Sequence, residues 1–115
     1  MKLPTEKTIK ILDTTDFFHD VAEQFNLMTT IATAEYEEQQ DSANCTVYLD
    51  SDKYEEGVMV VVYQGDDNEI MVEANSDGEL VVPSVGLDLD LETITSSKLA
   101  ALFLVFIKDE VQPKI

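Results

Sequence analysis

The chain has 115 residues, with 24 Asp and Glu against seven Lys and no Arg, a formal net charge of −17. That length suits one domain, and the 35 Leu, Ile, Val and Phe residues, about 30%, exceed the share below which a highly charged chain stays unfolded. The balance excludes a nucleic-acid binder that works through a basic surface, a disulfide-stapled module, and a membrane-spanning protein, whose helices need about 20 apolar residues where the longest run here covers 99–107.

One cysteine, Cys45, and one histidine, His19, allow neither an internal disulfide nor a cysteine-rich zinc site. The first residues, Met1-Lys2-Leu3-Pro4-Thr5-Glu6, lack the apolar run of a signal peptide, which makes a reducing cytoplasm the expected location. Charge is unevenly placed. Residues 13–92 hold 21 acids and a single base, Lys53, a net −20, whereas both ends are weakly positive. Such a segment repels itself at low salt and attracts cationic partners from a distance.

In chain order, residues 8–12 are compatible with a short strand or an early helical turn. From Thr14, the spacing of Phe17, Phe18, Val21, Ala22, Phe25 and Met28 predicts a helix, with Asp13 or Thr14 as its N-cap and Asp16 in its first turn. Residues 29–38 favour a strand through Thr and Ile, although 34–40 are also compatible with a helix. Beyond Asn44 the period changes from 3.6 to 2. Strands are predicted over 45–49, 58–64, 69–74 and 79–82, the last three joined by Gly65-Asp66-Asp67-Asn68 and Asn75-Ser76-Asp77-Gly78 as four-residue hairpin connections. Thr93 or Thr95 caps a second helix that runs to about Val111 and stops before Pro113. Leu99, Leu102, Phe103 and Phe106 form one stripe, and Ala100, Ala101, Leu104, Val105 and Ile107 make that helix apolar nearly all round, so it is covered on more than one side. The cover is the sheet and the first helix, or in part a second copy of the chain. The expected fold is a single α+β domain over 1–115: an N-terminal helix, a four- to five-stranded antiparallel meander sheet, and a C-terminal helix packed on the sheet.

The residues offer little catalytic chemistry. A nucleophile–base pair would have to be Cys45 and His19, neither in a recognisable local signature. Cys45 alternates with Val47 and Leu49 and is read as a small buried hydrophobe; His19 is read as a boundary residue. No glycine-rich phosphate loop occurs, and without Arg the usual fork for phosphate or carboxylate is missing. Residues 50–57 resemble a calcium loop only superficially, because an EF-hand needs Gly at its sixth position and Glu at its twelfth, where this chain has Glu55 and Val61. No enzyme activity, cofactor or metal is expected.

The acids are more informative. Extended, Leu87-Asp88-Leu89-Asp90-Leu91-Glu92 places three leucines on one face and three carboxylates on the other, with like neighbours about 6.7 Å apart. Glu69, Met71 and Glu73 repeat the device, as do Glu35 and Glu37 with Glu38 beside them. Rows of carboxylates on a rigid sheet approach in charge density the anionic rail of nucleic acid. The candidate partner-binding residues are therefore Glu35, Glu37, Glu38, Glu69, Glu73, Asp88, Asp90 and Glu92.

In size and charge the chain resembles phage-encoded inhibitors that occupy the DNA-binding channel of a host nuclease or repair enzyme. The likeness involves no shared motif, so it transfers no functional residue. The α, antiparallel sheet, α outline is also similar to acidic secretion-chaperone-like domains, which dimerise and hold an extended partner segment, although this chain lacks the middle helix usual there. The expectation is a non-enzymatic binding or inhibitor protein that docks carboxylates on a basic protein surface, a nucleic-acid-binding one among the candidates, with no direct contact to nucleic acid or membrane. The alternative is a dimeric chaperone-like or adaptor module that uses apolar surface of the last helix.

Overall fold

The structure, a computed structural model, describes residues 15–39, 42–65, 69–87, 89 and 93–115, with the backbone alone for 15–16, 37–39 and 42–43. Helix α1 (Thr15–Met28) follows the apolar spacing, burying Phe17, Phe18, Val21, Ala22 and Phe25 on one side. Its expected N-caps, Asp13 and Thr14, lie outside the described residues. The Thr29 N–H closes the last turn on the Phe25 carbonyl at 3.3 Å, and the Thr29 hydroxyl then accepts the Ile31 N–H at 3.1 Å. A threonine side chain that bonds two residues ahead offers the backbone a turn in place of a ladder. Strand β1 therefore begins at Ala34 and not at Thr29.

Five antiparallel strands follow in sequence order: β1 (Ala34–Gln39), β2 (Ser42–Leu49), β3 (Val58–Gln64), β4 (Ile70–Ser76) and β5 (Glu79–Gly86). The register places Cys45, Val47 and Leu49 opposite Val62, Val60 and Val58, and Val60 and Val62 opposite Ala74 and Val72. These residues are buried and form one face of the sheet. Between β2 and β3, Gly57 takes φ +79°, where a Cβ would also lie 3.1 Å from the Leu49 carbonyl. The β4–β5 connection is tighter than the four residues expected. Asp77 (φ +49°) and Gly78 (φ +86°) alone turn the chain, the two left-handed positions that a two-residue hairpin requires. Strand β5 continues past Pro83, which the sequence reading did not expect. Two register shifts between β4 and β5 and the position at the sheet edge accommodate a residue that cannot donate to a ladder.

Helix α2 (Ser96–Phe106) starts at Thr95, whose hydroxyl accepts the Lys98 N–H at 3.2 Å. Leu99, Ala100, Phe103 and Phe106 are buried, and the Phe103 ring lies 5.6 Å from that of Phe25. Ser97 donates to Gln24 at 3.1 Å and Ser96 donates to Asp20, so polar bonds also join the two helices. The helical course does not stop before Pro113. It widens to a π turn (Ile107–Val111) and tightens to a 3-10 turn (Gln112–Lys114) that carries Pro113 in its first turn, where the missing N–H has no partner to lose. The π turn keeps Ile107 and Val111 buried. Together α1 and α2 cover the Cys45–Val60–Val72 face of the sheet and enclose one core. No described helix is long and apolar enough to cross a membrane.

Candidate docking face

No described helix packs on the opposite face of the sheet. Its residues are set by strand alternation. One cross-strand row reads Glu35, Thr46, Val61, Glu73. At three strand spacings, its terminal carboxylates stand about 14 Å apart, and the strip between them is neutral. Thr46 and Val61 are buried within that strip, with Asn44 bonded to the Thr46 hydroxyl at 2.9 Å. Met59, Tyr63 and Met71 are half-buried around it and Tyr48 is exposed. The face is thus an apolar and hydroxylic centre with carboxylates at its margins, not a continuous anionic rail.

The predicted acids differ in availability. Glu35 and Glu69 are exposed. Glu69 lies across β5 against Gly86, where a Cβ would collide with its carboxylate. Glu73 is half-buried and bonded. Its Oε1 accepts the Ser84 hydroxyl at 2.6 Å, with a longer contact from Tyr63 at 3.5 Å, and its Oε2 accepts the Asn75 amide at 3.3 Å. The Tyr63 hydroxyl also lies 3.1 Å from that of Ser84, and its single proton serves either that contact or the longer one to Glu73. Glu37 and Glu38 belong to β1 and pair with Asn44 and Ala43. Asp88, Asp90 and Glu92 lie outside the described residues. Their neighbours Leu87 and Leu89 pack against the core, and the Leu87 N–H reaches the Ile70 carbonyl at 2.8 Å.

Sequence reasoning gave less weight to the loop acids that the fold gathers at one end of the sheet. Asp50, Asp52, Glu55 and Glu56 lie in the β2–β3 connection, and Asp77 and Glu79 at the β4–β5 turn, all at the strand ends opposite the β1–β2 and β3–β4 connections. The alternation of connections in a meander dictates this grouping. Three of the lysines, Lys98, Lys108 and Lys114, belong instead to α2 and the turns that follow it, while Lys53 stands 5.9 Å from the Tyr54 ring. Among the described residues no lysine comes within ion-pair distance of a carboxylate; the pair present is His19 with Glu23, at 3.1 Å on one face of α1.

Burial pushes the Cys45 thiol up to about 12, which keeps it protonated and poorly nucleophilic. Among the described residues no group of three His, Cys, Asp or Glu side chains is placed to hold a metal ion. A cleft of about 510 Å³ opens beside the C-terminal turn, lined by Ile31, Tyr48, Asp50, Asp52, Gln112 and Ile115 among others, and the Ser51 hydroxyl donates to the Ile115 carbonyl at 3.1 Å across it. No protein-family model, curated protein or solved structure matches the chain.

Proposed function

We propose that this chain is a non-enzymatic acidic binding protein that docks on a Lys- and Arg-rich surface of a partner protein, of the kind that holds nucleic acid. The supporting observation is that among the described residues no lysine pairs with a carboxylate, while Glu35 and Glu69 stand exposed at the margins of a sheet face that no described helix covers. Unneutralised like charges on a rigid frame raise the rate of encounter with a cationic surface and reject anionic competitors. The test is binding to basic DNA-binding proteins, read as displacement of a fluorescent duplex across a salt series. The expected result is displacement whose affinity falls at least about tenfold from low to physiological salt, and which the double variant Glu35→Lys, Glu69→Lys weakens further. An affinity indifferent to salt would overturn the proposal.

A second reading, a dimeric adaptor or chaperone-like module, draws on apolar residues at the surface. Val105 is 51% exposed on α2, Leu27 is exposed in the last turn of α1, and Ile31 is exposed just beyond it. It predicts a particle of twice the chain mass by light scattering and partner binding that tolerates salt.

A further inference from the structure

The two edges of the sheet differ. At β5 an added strand would meet Pro83 and the two register shifts, devices that prevent strand addition. Strand β1, Ala-Glu-Tyr-Glu-Glu-Gln, contains no proline and its register with β2 is unbroken over six residues. Its first outward rung is closed by a side chain. The Asn26 amide donates to the Ala34 carbonyl at 3.0 Å and accepts the Ala34 N–H at 2.7 Å, so Asn26 stands where a neighbouring strand would be. Those two bonds also fix the phase of the ladder. In an antiparallel pair, residues alternate between bonding their neighbour and pointing away. Ala34 points outward, and by that alternation so do the backbone groups of Tyr36 and Glu38.

The same edge is overlooked by α1. His19, Glu23 and Asn26 recur at helical spacing on the side of α1 that faces β1. The His19 ring lies 5.6 Å from that of Tyr36, and the Glu23 carboxylate is exposed beside it. Glu23 and Glu35 thus flank the open rung, and Glu37 and Glu38 follow in the strand. A second copy of this chain presenting its own β1 would set like charges opposite one another, which opposes pairing. A cationic strand meets the opposite situation.

We propose that the open edge of β1 beyond Asn26, from Tyr36 to Gln39, accepts an extended Lys- or Arg-bearing segment of the partner protein as a sixth strand beside α1. Main-chain bonds to the Tyr36 and Glu38 rungs supply the pairing, and basic side chains on the sheet face that carries Glu35 supply the selectivity. The inference rests on the reading of the chain as an acidic binding protein and adds the place and the mode of contact.

The probe is a short synthetic peptide alternating lysine with valine, followed by fluorescence anisotropy at low ionic strength against the full chain. Two further peptides carry backbone N-methyl groups on one alternate set of residues or on the other, with charge unchanged. In an added strand, one set of amides points at β1 and the other away. One methylated peptide is expected to bind as the parent does and the other at least about tenfold more weakly, with amide shifts in the nuclear magnetic resonance spectrum concentrated at Tyr36–Gln39. Glu35→Lys, on the surface and checked for folding by circular dichroism, is expected to weaken the parent peptide. Equal binding of both methylated peptides, or shifts centred on Glu69 and Glu73, would overturn the edge as the site while leaving the broader reading standing. Failure of every lysine peptide and every basic protein to bind would overturn both.

Discussion

Glu73 stands in the proposed docking face yet is already bonded, and the two roles make opposite predictions for Glu73→Gln. The substitution keeps the shape and removes the charge. It weakens one short charge-assisted bond, from Ser84 at 2.6 Å, and two longer contacts, from Asn75 at 3.3 Å and Tyr63 at 3.5 Å. Because the group is half-buried, only the short bond carries much weight, about 1 kcal/mol after exchange with water, or about 4 °C in Tm for a chain of this size. Ser84→Ala removes the same bond from the other side and is expected to lose a similar amount. The double variant should lose little more than either single one, a coupling of about 0.5–1 kcal/mol. Urea unfolding with a common m-value measures all three. Affinity for a basic partner should stay within about twofold, because a carboxylate held by neighbours gives up those bonds to meet an incoming cation. Additive single losses, or a tenfold fall in affinity without loss of stability, would refute the assignment of Glu73 to the frame.

Phe103→Ala removes a fully buried ring packed 5.6 Å from Phe25 and should cost about 3–5 kcal/mol by chemical unfolding; a loss below about 1 kcal/mol would contradict the packing of α2 on α1. Cys45 sets an alkaline limit. Its native thiol titrates at about 12 against 9.0 for the free group, so between those values the native state keeps a proton that the unfolded chain has lost. Stability is therefore intact below about pH 9 and falls by up to about 1.4 kcal/mol per pH unit above it. Cys45→Ala should flatten that slope in urea titrations at successive pH values, and parallel profiles for the two proteins would exclude the buried thiol as its cause.

Elements whose stability comes from one apolar face were legible in the sequence. The stripe from Phe17 to Phe25 required the helix that carries it, and the alternation of Ile70, Val72 and Ala74 required a strand with one side covered. The misjudged boundaries share a physical origin, since each is set by a side chain or neighbour that local spacing does not reveal. Residues 29–33 have strand-forming composition, but the Thr29 hydroxyl and the Asn26 amide settle where β1 begins. Pro83 marks a strand end by propensity and is tolerated because β5 lies at the edge. The bonding of Glu73 was not readable, because Ser84 reaches it only through register shifts that no periodicity predicts. Glu35 and Glu69, by contrast, were legible as exposed positions from alternation alone.

Salt acts on this chain with two opposite signs, and the layering of the fold explains both. Residues 13–92 carry −20, while Lys98, Lys108 and Lys114 belong to α2 and the turns after it, not to the sheet or its connections. Without described lysine–carboxylate pairs to neutralise them, the acids repel one another in the free protein, and added salt relieves that repulsion and stabilises the fold. A cationic partner relieves the same repulsion by contact, so that binding and folding draw on one source of free energy and a bound partner raises stability by mass action. Salt screens that contact too, and therefore weakens the complex while strengthening the free domain. Under the proposed function, uneven charge lowers the stability of the isolated chain and, by the same Coulomb terms, raises its affinity for a basic surface.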